Sequence, residues 1–354
     1  MKIVLCYPSL LPGQKPRYGL QPLGILYMAS VLKENGIDAE IIDAEIEGLT
    51  VKEMAEELLA CEPALIGFSI MTPQLIPALE TAALLKKEKP ELQIVLGGAH
   101  INATMEDTLN LSECFDCAVY GEGEATLLEV ARNVRKKEDN PFKNVLGIIY
   151  RDKNGKIITN PPRPMLMELD ALPRIDYSMV DLKKYSIPTL GRGNVISMTF
   201  SRGCSYQCTY CSVHLNMGNR VRFFSVERAV REIDYNYKKF KIKNFAFRDS
   251  NFTINREWTL QFCQALIKAG LKINWRCNTR VDKVDEELLE TMKQAGCYII
   301  YYGAESGDPN ILKKLQKGHH VDQIYTAHKM TKKAGIRTTA LLMLGNYGET
   351  PPRV

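Results

Sequence analysis

Short apolar runs alternate with amphipathic stretches along the first 140 residues of the chain. The runs predict buried strands, and apolar positions at helical spacing between them predict helices. The predicted strands are Lys2–Tyr7, Ala39–Ile42, Ala64–Ile70, Gln93–Leu96 and Cys117–Tyr120, and the predicted helices are Leu23–Asn35, the segment after the Thr50–Glu53 capping pattern, Leu75–Lys87 and Glu124–Arg135. Strands separated by helices indicate a doubly wound parallel sheet, whose ligands bind at the carboxyl ends of its strands.

The alternation resumes at residue 194, after a segment of different character. Residues 141–193 contain two short apolar runs around the Asp152–Gly155 turn, followed by the proline-rich stretch Pro161–Pro164. The strands predicted beyond it are Val195–Phe200, Asn244–Phe247, Lys272–Cys277, Tyr298–Tyr302 and Thr338–Leu344. We therefore expect a sheet domain over 1–140, a β-hairpin and linker over 141–193, and a parallel barrel or partial barrel over 194–354. A sixth strand would complete the pattern, so we expect a truncated chain.

Composition narrows the class of protein. The 354 residues are 45% hydrophobic and 25% charged, which is ordinary for a soluble globular protein. A net charge of +5 is small for this length and argues against a nucleic-acid partner or a polybasic membrane surface. The chain starts on a strand without a signal-peptide pattern and has no apolar stretch of membrane-spanning length. Ten cysteines in such a chain do not indicate a disulfide framework, so we expect a cytoplasmic protein.

Three cysteines, Cys204, Cys208 and Cys211, lie within a stretch of eight residues that comes shortly after the first predicted barrel strand. Three thiolates on one short loop suit three irons of a [4Fe–4S] cluster, which leaves the fourth iron without a protein ligand. An open iron can bind and activate a small molecule, so the loop indicates catalysis. The alternative is a zinc loop completed by His214 or by a distant cysteine.

The loop, with Tyr210 directly before its last cysteine, resembles the signature loop of radical S-adenosylmethionine (radical SAM) enzymes. Other segments that resemble motifs of this family follow in order at the ends of predicted strands. The matching segments are Ser201–Cys211, Phe247–Thr253, Trp275–Arg280, Tyr302–Gly307 and Leu344–Thr350, with Tyr347 where proline is usual in the family. The resemblance covers about residues 165–354 and implies a partial (β/α)6 TIM-like barrel.

The resemblance also implies a mechanism. Cys204, Cys208 and Cys211 would each hold one iron, and the amino and carboxylate groups of SAM would chelate the fourth. Electron transfer from the reduced cluster would then cleave SAM and give a 5′-deoxyadenosyl radical. The implied SAM contacts are Tyr210 at the adenine, Glu305 and Ser306 at the ribose or amino group, and Asp249 and Arg280 as SAM or substrate contacts. The alternative for Asp249 and Arg280 is an ion pair at the surface or in a loop.

The first 140 residues resemble the flavodoxin-like (Rossmann-type) cobalamin-binding domain that precedes the barrel in one group of radical SAM proteins. The matching pieces are Tyr7–Pro8, Leu20–Gly24, Gly67–Thr72, Leu96–His100 and Tyr120–Glu124. The resemblance implies that Ser69 and Thr72 donate to the corrin side chains and that Gly97 and Gly98 leave room for the nucleotide tail. The Asp-x-His-x-x-Gly motif that supplies a histidine to cobalt elsewhere is absent, as is common in this group. The alternative for this domain is a vestigial sheet without cofactor. For His100 the alternatives are a cobalt ligand and a hydrogen-bonded loop residue, and we expect the second.

The resemblance thus implies a radical SAM enzyme that uses a [4Fe–4S] cluster, SAM and cobalamin to methylate an unactivated carbon or phosphorus centre of a small molecule. A flavodoxin or ferredoxin would supply the electron. Relatives in the same group catalyse oxidative cyclisation or rearrangement, including a step of tetrapyrrole biosynthesis, and the sequence does not separate these reactions. A non-catalytic corrinoid or cluster sensor is the alternative of another class. A methylthiotransferase would need three more clustered cysteines near the N-terminus, and the chain does not present them in that context.

Overall fold

The computed structural model describes residues 1–190 and 193–350, which divide into two compact units. Unit 1 comprises Met1–Met167, Ala171–Tyr185 and Leu215–Met217, and unit 2 comprises Glu168–Asp170, Ser186–His214 and Gly218–Val354. Residues 191, 192 and 351–354 belong to the predicted linker and the predicted barrel domain, and they lie outside the described residues. Among the residues that are described, no helix combines the length and apolar character needed to cross a membrane.

Unit 1 contains a seven-stranded sheet in the order β2-β1-β3-β4-β5-β6-β7. Its strands are β1 Lys2–Tyr7, β2 Asp38–Asp43, β3 Leu65–Ser69, β4 Gln93–Gly97, β5 Cys117–Val119, β6 Ile148–Arg151 and β7 Ile157–Thr159. Its helices are α1 Leu23–Glu34, α2 Ala44–Glu47, α3 Val51–Ala60, α4 Leu75–Glu88, α5 Ala99–Thr104, α6 Asp107–Asn110 and α7 Gly123–Arg135. Strands β1 to β5 are parallel in the order 2-1-3-4-5, which is the flavodoxin-like arrangement and confirms the predicted doubly wound sheet.

Local sequence signals account for several of these elements. The Thr50 hydroxyl accepts the Glu53 amide proton at 3.2 Å, and the Glu53 carboxylate accepts the Thr50 amide proton at 2.9 Å, so the predicted capping box starts α3. The predicted hairpin forms, and its strands β6 and β7 extend the first sheet in antiparallel fashion beside β5. Buried side chains on both faces of the sheet make two apolar clusters, as a sheet covered by helices on both sides requires.

Unit 2 contains a five-stranded parallel sheet in the order β14-β13-β12-β11-β8 and a two-stranded ladder of β9 and β10. Its strands are β8 Val195–Met198, β9 Ser201–Arg202, β10 Arg222–Phe223, β11 Asn244–Phe247, β12 Asn274–Thr279, β13 Cys297–Glu305 and β14 Arg337–Leu342. Helix α8, Val213–Met217, spans the division between the units. The helices of unit 2 that follow it are α9 Val226–Phe240, α10 Arg256–Lys268, α11 Glu286–Gln294, α12 Pro309–Lys314 and α13 Val321–Lys333. Five parallel strands alternating with helices confirm the predicted partial barrel.

The predicted bounds of four of the five strands in unit 2 were wrong. The strand predicted at Val195–Phe200 ends at Met198, and the one predicted at Thr338–Leu344 is β14 at Arg337–Leu342. The prediction of Lys272–Cys277 becomes β12 at Asn274–Thr279, and the prediction of Tyr298–Tyr302 becomes the longer β13 at Cys297–Glu305. The reason is pairing with neighbouring strands: β12 continues through Asn278 and Thr279 in register with Tyr301 and Tyr302 of β13. Polar residues can therefore belong to a strand through hydrogen bonds to its neighbours, although a prediction from apolar runs excludes them.

The two faces of the second sheet are distinct. Trp275 of β12 stacks on Phe247 of β11 with ring centroids 5.0 Å apart, and its indole N–H donates to the carbonyl of Ala295 at the end of α11. Trp275 therefore faces the helices. Because successive side chains of a strand point to opposite faces, Arg276 and Asn278 lie on the other side, which we call the inner face.

A buried hydrogen bond attaches the last residue of the segment Ala171–Tyr185 to the sheet of unit 1. The Tyr185 hydroxyl donates to one carboxylate oxygen of Asp43 at 2.7 Å, while the other oxygen accepts the amide proton of Ile46 and caps α2. Both side chains are buried. Burial raises the pKa of Asp43 to about 6, against the opposing effect of these two hydrogen bonds, because a carboxylate loses hydration there.

We predict that Asp43→Asn changes how stability depends on pH. A carboxyl group whose folded pKa is raised stabilises the fold in its neutral form, and that contribution is lost as the pH rises through about 6. From pH 5 to pH 8 the wild type should therefore lose about 1–2 kcal/mol in its free energy of unfolding relative to Asp43→Asn, which lacks the titrating group. Urea unfolding at both pH values measures it, with the exposed Asp38→Asn as control. Parallel stability curves for wild type and Asp43→Asn would contradict the prediction.

Candidate functional site

The loop that carries the three cysteines is closed at its base by the β9–β10 ladder, in which Arg202 pairs with Arg222. Gly203 follows β9 with φ +94°, and a Cβ atom there would lie 2.3 Å from the carbonyl oxygen of Arg220. Only glycine fits this close backbone approach. Next to it, the amide of Cys204 donates to the carbonyl of Gly218 at 3.2 Å, which fixes the first ligand position.

The three thiols of this loop are unpaired and close enough to influence one another. Cys208 is buried, and Cys204 and Cys211 are half-buried. Burial raises the pKa of Cys204, and the neighbouring thiols Cys211 and Cys208 raise it further. Such a donor set fits a [4Fe–4S] cluster, because each thiolate binds a different iron and the three sulfurs need not converge on one point.

The zinc alternative requires a different geometry, with the ligands converging on a single ion. Within residues 1–190 and 193–350, no group of three or more histidine, cysteine, aspartate or glutamate side chains is arranged to hold one metal ion. A zinc loop completed by His214 is therefore not formed in the described part of the chain.

The aromatic residue of the loop, Tyr210, is held by a buried ion pair. Its hydroxyl donates to Oε1 of Glu305 at 2.8 Å, and Nζ of Lys317 donates to the Tyr210 oxygen and to the same Oε1, each at 2.8 Å. Glu305 and Lys317 are both more than nine-tenths buried. Burial and the Glu305 carboxylate raise the pKa of Tyr210 far above its ordinary value, so the phenol stays a donor.

The backbone of β13 is adapted to this ion pair. Glu305 has φ +65°, an uncommon conformation for a residue with a side chain, and the register between β13 and β14 is irregular between Gly303 and Glu305. A Cβ atom at Gly303 would lie 2.7 Å from Oε1 of Glu305 and 2.8 Å from Nζ of Lys317. Strained backbone held by its surroundings is concentrated at functional sites, which supports such a role for the end of β13.

A second aromatic residue of the loop, Tyr206, rests on Arg280. The guanidinium carbon lies 3.6 Å from the centroid of the Tyr206 ring. The same guanidinium pairs with the Asp282 carboxylate at 2.8 Å and donates to the carbonyl of Lys317 at 2.6 Å. An ion pair was the alternative to a SAM or substrate contact for Arg280. The residue does form one, but it is buried beneath the cysteine loop rather than at the surface.

The remaining two residues predicted to contact SAM are tied to nearby backbone. One oxygen of Asp249 accepts from the amide of Phe200 at 2.9 Å and from the Ser201 hydroxyl at 2.7 Å, which braces the entry to the cysteine loop. Its other oxygen is buried without a hydrogen-bond partner, and burial raises the pKa of Asp249 to about 6. The Ser306 hydroxyl accepts the amide proton of Asp308 at 3.1 Å.

In unit 1, the predicted cobalamin contacts lie at the carboxyl ends of β3 and β4. Ser69 and Gly97 end these strands and pair in register, and the nearest atoms to a Cβ at Gly97 would be 3.9 Å away. Gly98 has φ +101°, and a Cβ there would lie 2.6 Å from the carbonyl oxygen of Ile70. The exposed Thr72 follows β3. At Gly97 this edge offers side-chain-free backbone with space beside it, which fits a bulky ligand such as a corrin, whereas Gly98 is required by the close approach of Ile70.

His100 is a buried residue with both ring nitrogens engaged. Nδ1 lies 3.0 Å from the Thr72 hydroxyl, and Nε2 lies 3.0 Å from the Thr108 hydroxyl. Burial lowers the pKa of His100, so the ring is neutral at pH 7. The hydrogen-bonded alternative therefore describes this histidine, which lies in α5 rather than in a loop.

Comparison with known proteins identifies the family. The Radical SAM superfamily model matches residues 198–353, and the B12 binding domain model matches residues 13–131. The chain is 33% identical to the uncharacterized methyltransferase PH0819 of Pyrococcus horikoshii, over 100% of this chain and 76% of that protein. It is 30% identical to the anaerobic magnesium-protoporphyrin IX monomethyl ester cyclase of Synechocystis sp., over 96% of this chain and 68% of that protein. The chain belongs to the radical SAM superfamily, in the group with a B12-binding domain.

A solved structure agrees in fold. The radical SAM methyltransferase TsrM from Kitasatospora setae, solved with cobalamin and a [4Fe–4S] cluster, superposes with a TM-score of 0.81 at 18% identity, covering 99% of this chain and 71% of that one. The family therefore confirms the predicted fold class and the predicted cofactors, namely a [4Fe–4S] cluster, SAM and cobalamin. It also confirms that the chain is an enzyme of this class.

Sequence reasoning missed Lys317 and Tyr206. Lys317 lies in the turn after α12, 107 residues from Tyr210 in the chain, and a lysine in a polar turn gives no signal of burial. Tyr206 lies inside the cysteine motif, and this position was the signal in the sequence that could have indicated its role. Both residues gain their roles only when β12, β13 and the loop meet.

We predict that Lys317→Met destabilises the protein strongly, because it leaves the Glu305 carboxylate buried without its cation. The expected loss is about 3 kcal/mol in the free energy of unfolding, measured by urea titration. Lys314→Met is the matched control, since Lys314 is exposed and its ammonium group contacts the exposed Tyr347, and it should change stability by less than about 0.5 kcal/mol. Adding Glu305→Gln to Lys317→Met should recover part of the loss. Equal stability of the Lys317 and Lys314 variants would show that the ion pair contributes nothing.

Proposed function

We propose that this protein is a cobalamin-dependent radical SAM methyltransferase that methylates an unactivated carbon or phosphorus centre of a small molecule. One observation carries the proposal: three free thiols on one loop adjoin a strained carboxylate at a strand end, in a chain with a separate B12-binding domain. The 33% identity to a protein described as a methyltransferase supports methyl transfer as the reaction. The chemistry supplied by the bound groups is reductive cleavage of SAM at the cluster and delivery of a methyl group by cobalamin.

In this proposal the cysteine loop holds the cluster and the ends of β12 and β13 hold SAM. Cys204, Cys208 and Cys211 are the three protein ligands. The Tyr210 ring lies against the adenine, and the Glu305 carboxylate accepts from ribose hydroxyls or the amino group. Glu305 is suited to this role because Lys317 and the strained backbone already fix its orientation.

The other predicted contact residues also hold nearby parts of the structure in place. Arg280 offers a guanidinium to SAM or substrate while it supports Tyr206. Asp249 has one unpartnered buried oxygen, and Ser306 offers its hydroxyl beside Glu305. In unit 1, Ser69 and Thr72 donate to the corrin side chains. Gly97 and Gly98 leave room for the nucleotide tail.

We also propose a cytoplasmic enzyme that receives its electron from a flavodoxin or ferredoxin. The reduced cluster requires a low-potential donor, and these carriers supply one in the cytoplasm.

Anaerobic reconstitution with iron, sulfide and dithionite tests the proposal. We expect the wild type to carry four irons and to release methionine and 5′-deoxyadenosine from SAM, and we expect neither product from the Cys204/Cys208/Cys211→Ala variant. The matched control is Cys61/Cys114→Ala, which removes two half-buried thiols of unit 1 and should keep the cluster. Cluster retention in the first variant, or absence of SAM cleavage by the wild type, would remove the assignment.

Cobalamin binding has its own size test at Gly97. We predict that Gly97→Ala keeps corrinoid absorbance after reconstitution, because its methyl group has 3.9 Å to its nearest neighbours. The larger Gly97→Leu should project into the ligand space and lower corrinoid retention at least tenfold, about 1.4 kcal/mol, with the unfolding midpoint of the apoprotein kept as a folding control. Equal retention by both variants would place the corrin away from this glycine.

A second candidate reaction is oxidative cyclisation, favoured by the 30% identity to a magnesium-protoporphyrin IX monomethyl ester cyclase over 96% of this chain. Product analysis separates the two reactions. Methyl transfer consumes a second SAM to remethylate the cobalamin and yields S-adenosylhomocysteine, whereas cyclisation does not.

A further inference from the structure

Arg276 of β12 is a buried cation on the inner face of the second sheet. Its register partners are Ala246 of β11 and Ile299 of β13, so neither neighbouring strand offers it a charged or hydrogen-bonding side chain at that level. Arg276 is 8% exposed. No role was predicted for Arg276 from the sequence, because it lies inside a predicted strand.

The guanidinium of Arg276 has an aromatic neighbour but no anion. Its carbon lies 4.7 Å from the ring centroid of Tyr301, and the Tyr301 hydroxyl is already used in a 2.7 Å hydrogen bond to Thr189. Nε of Arg276 is buried without a hydrogen-bond partner. Across the described ranges 1–190 and 193–350, no carboxylate pairs with Arg276.

A buried guanidinium without a counterion is costly, and proteins normally pair such charges. Arg280, directly after the end of β12, follows that rule through Asp282. The contact with Tyr301 offsets only part of the cost, since a single cation–π contact is weaker than pairing with an anion. Arg276 therefore has the properties of a residue whose partner arrives with a ligand.

We propose that Arg276 binds an anionic group of the substrate, a carboxylate or a phosphate or phosphonate, inside the barrel. A planar guanidinium fork matches both kinds of oxyanion through paired hydrogen bonds. The inner face of a parallel barrel is open to ligands that enter from the carboxyl ends of its strands, and the register partner of Arg276 on β11 is the small residue Ala246. The proposal rests on the proposed function and specifies its substrate class as anionic small molecules.

Thermal unfolding of the reconstituted protein at constant ionic strength tests the proposal without the natural substrate. Inorganic phosphate and acetate are the probes, and the anion with the lower half-saturating concentration assigns the class. We expect a saturable rise in the unfolding midpoint of the wild type. Arg276→Met should lose that rise and, without anion, unfold at the same temperature as the wild type or higher. Arg276→Lys keeps the charge without the fork and should need at least about tenfold more anion.

Arg337→Met is the matched control, because Arg337 also lies over a tyrosine of β13, Tyr298, but is exposed. It should respond to anions as the wild type does. A wild-type anion response in Arg276→Met would mean adventitious surface binding and would overturn the proposal, as would no saturable response in the wild type. If Arg276→Met does not fold, a wild-type response in Arg276→Lys overturns it. None of these measurements involves SAM cleavage, so their failure is distinguishable from failure of the proposed function.

Discussion

One buried contact joins the cysteine loop to the sheet that carries it. The Tyr210 hydroxyl, the Glu305 carboxylate and the Lys317 ammonium lie within 2.8 Å of one another, and Glu305 and Lys317 are buried. A carboxylate and an ammonium removed from water are stable there only as a pair, so the loop, the end of β13 and the turn after α12 are fixed together. The positive φ of Glu305 and the missing side chain at Gly303 follow from the same requirement.

Parallel strands determine where the chemistry can lie in each unit. Their carboxyl ends gather at one edge, so residues far apart in the chain become neighbours there. In unit 2 this edge collects the cysteine loop, Arg280 and Glu305. In unit 1 it collects Ser69 and Gly97, and the backbone at Gly98 approaches Ile70 more closely than a side chain would allow. The fold thus brings glycine backbone and charged side chains together at these edges, although no local pattern in the sequence shows that they are neighbours.

The sequence was sufficient for features that depend on local pattern. The capping box at Thr50, the alternation of strands and helices and the spacing of the three cysteines all depend on residues close together in the chain, and the structure and the family confirm the elements and cofactors predicted from them. It was insufficient where distant segments meet. Lys317 is a lysine in a polar turn until β13 supplies Glu305, and the burial of Arg276 depends on the strands at either side of it. Long-range contact, rather than residue type, decides both.

The central claim is that the three cysteines leave one iron open to SAM. The most direct measurement is electron paramagnetic resonance of the reduced, reconstituted protein before and after SAM is added. The account predicts a [4Fe–4S]⁺ signal whose g-values shift with SAM, because SAM becomes a ligand of the cluster. A [4Fe–4S]⁺ signal that stays unchanged at saturating SAM would contradict it.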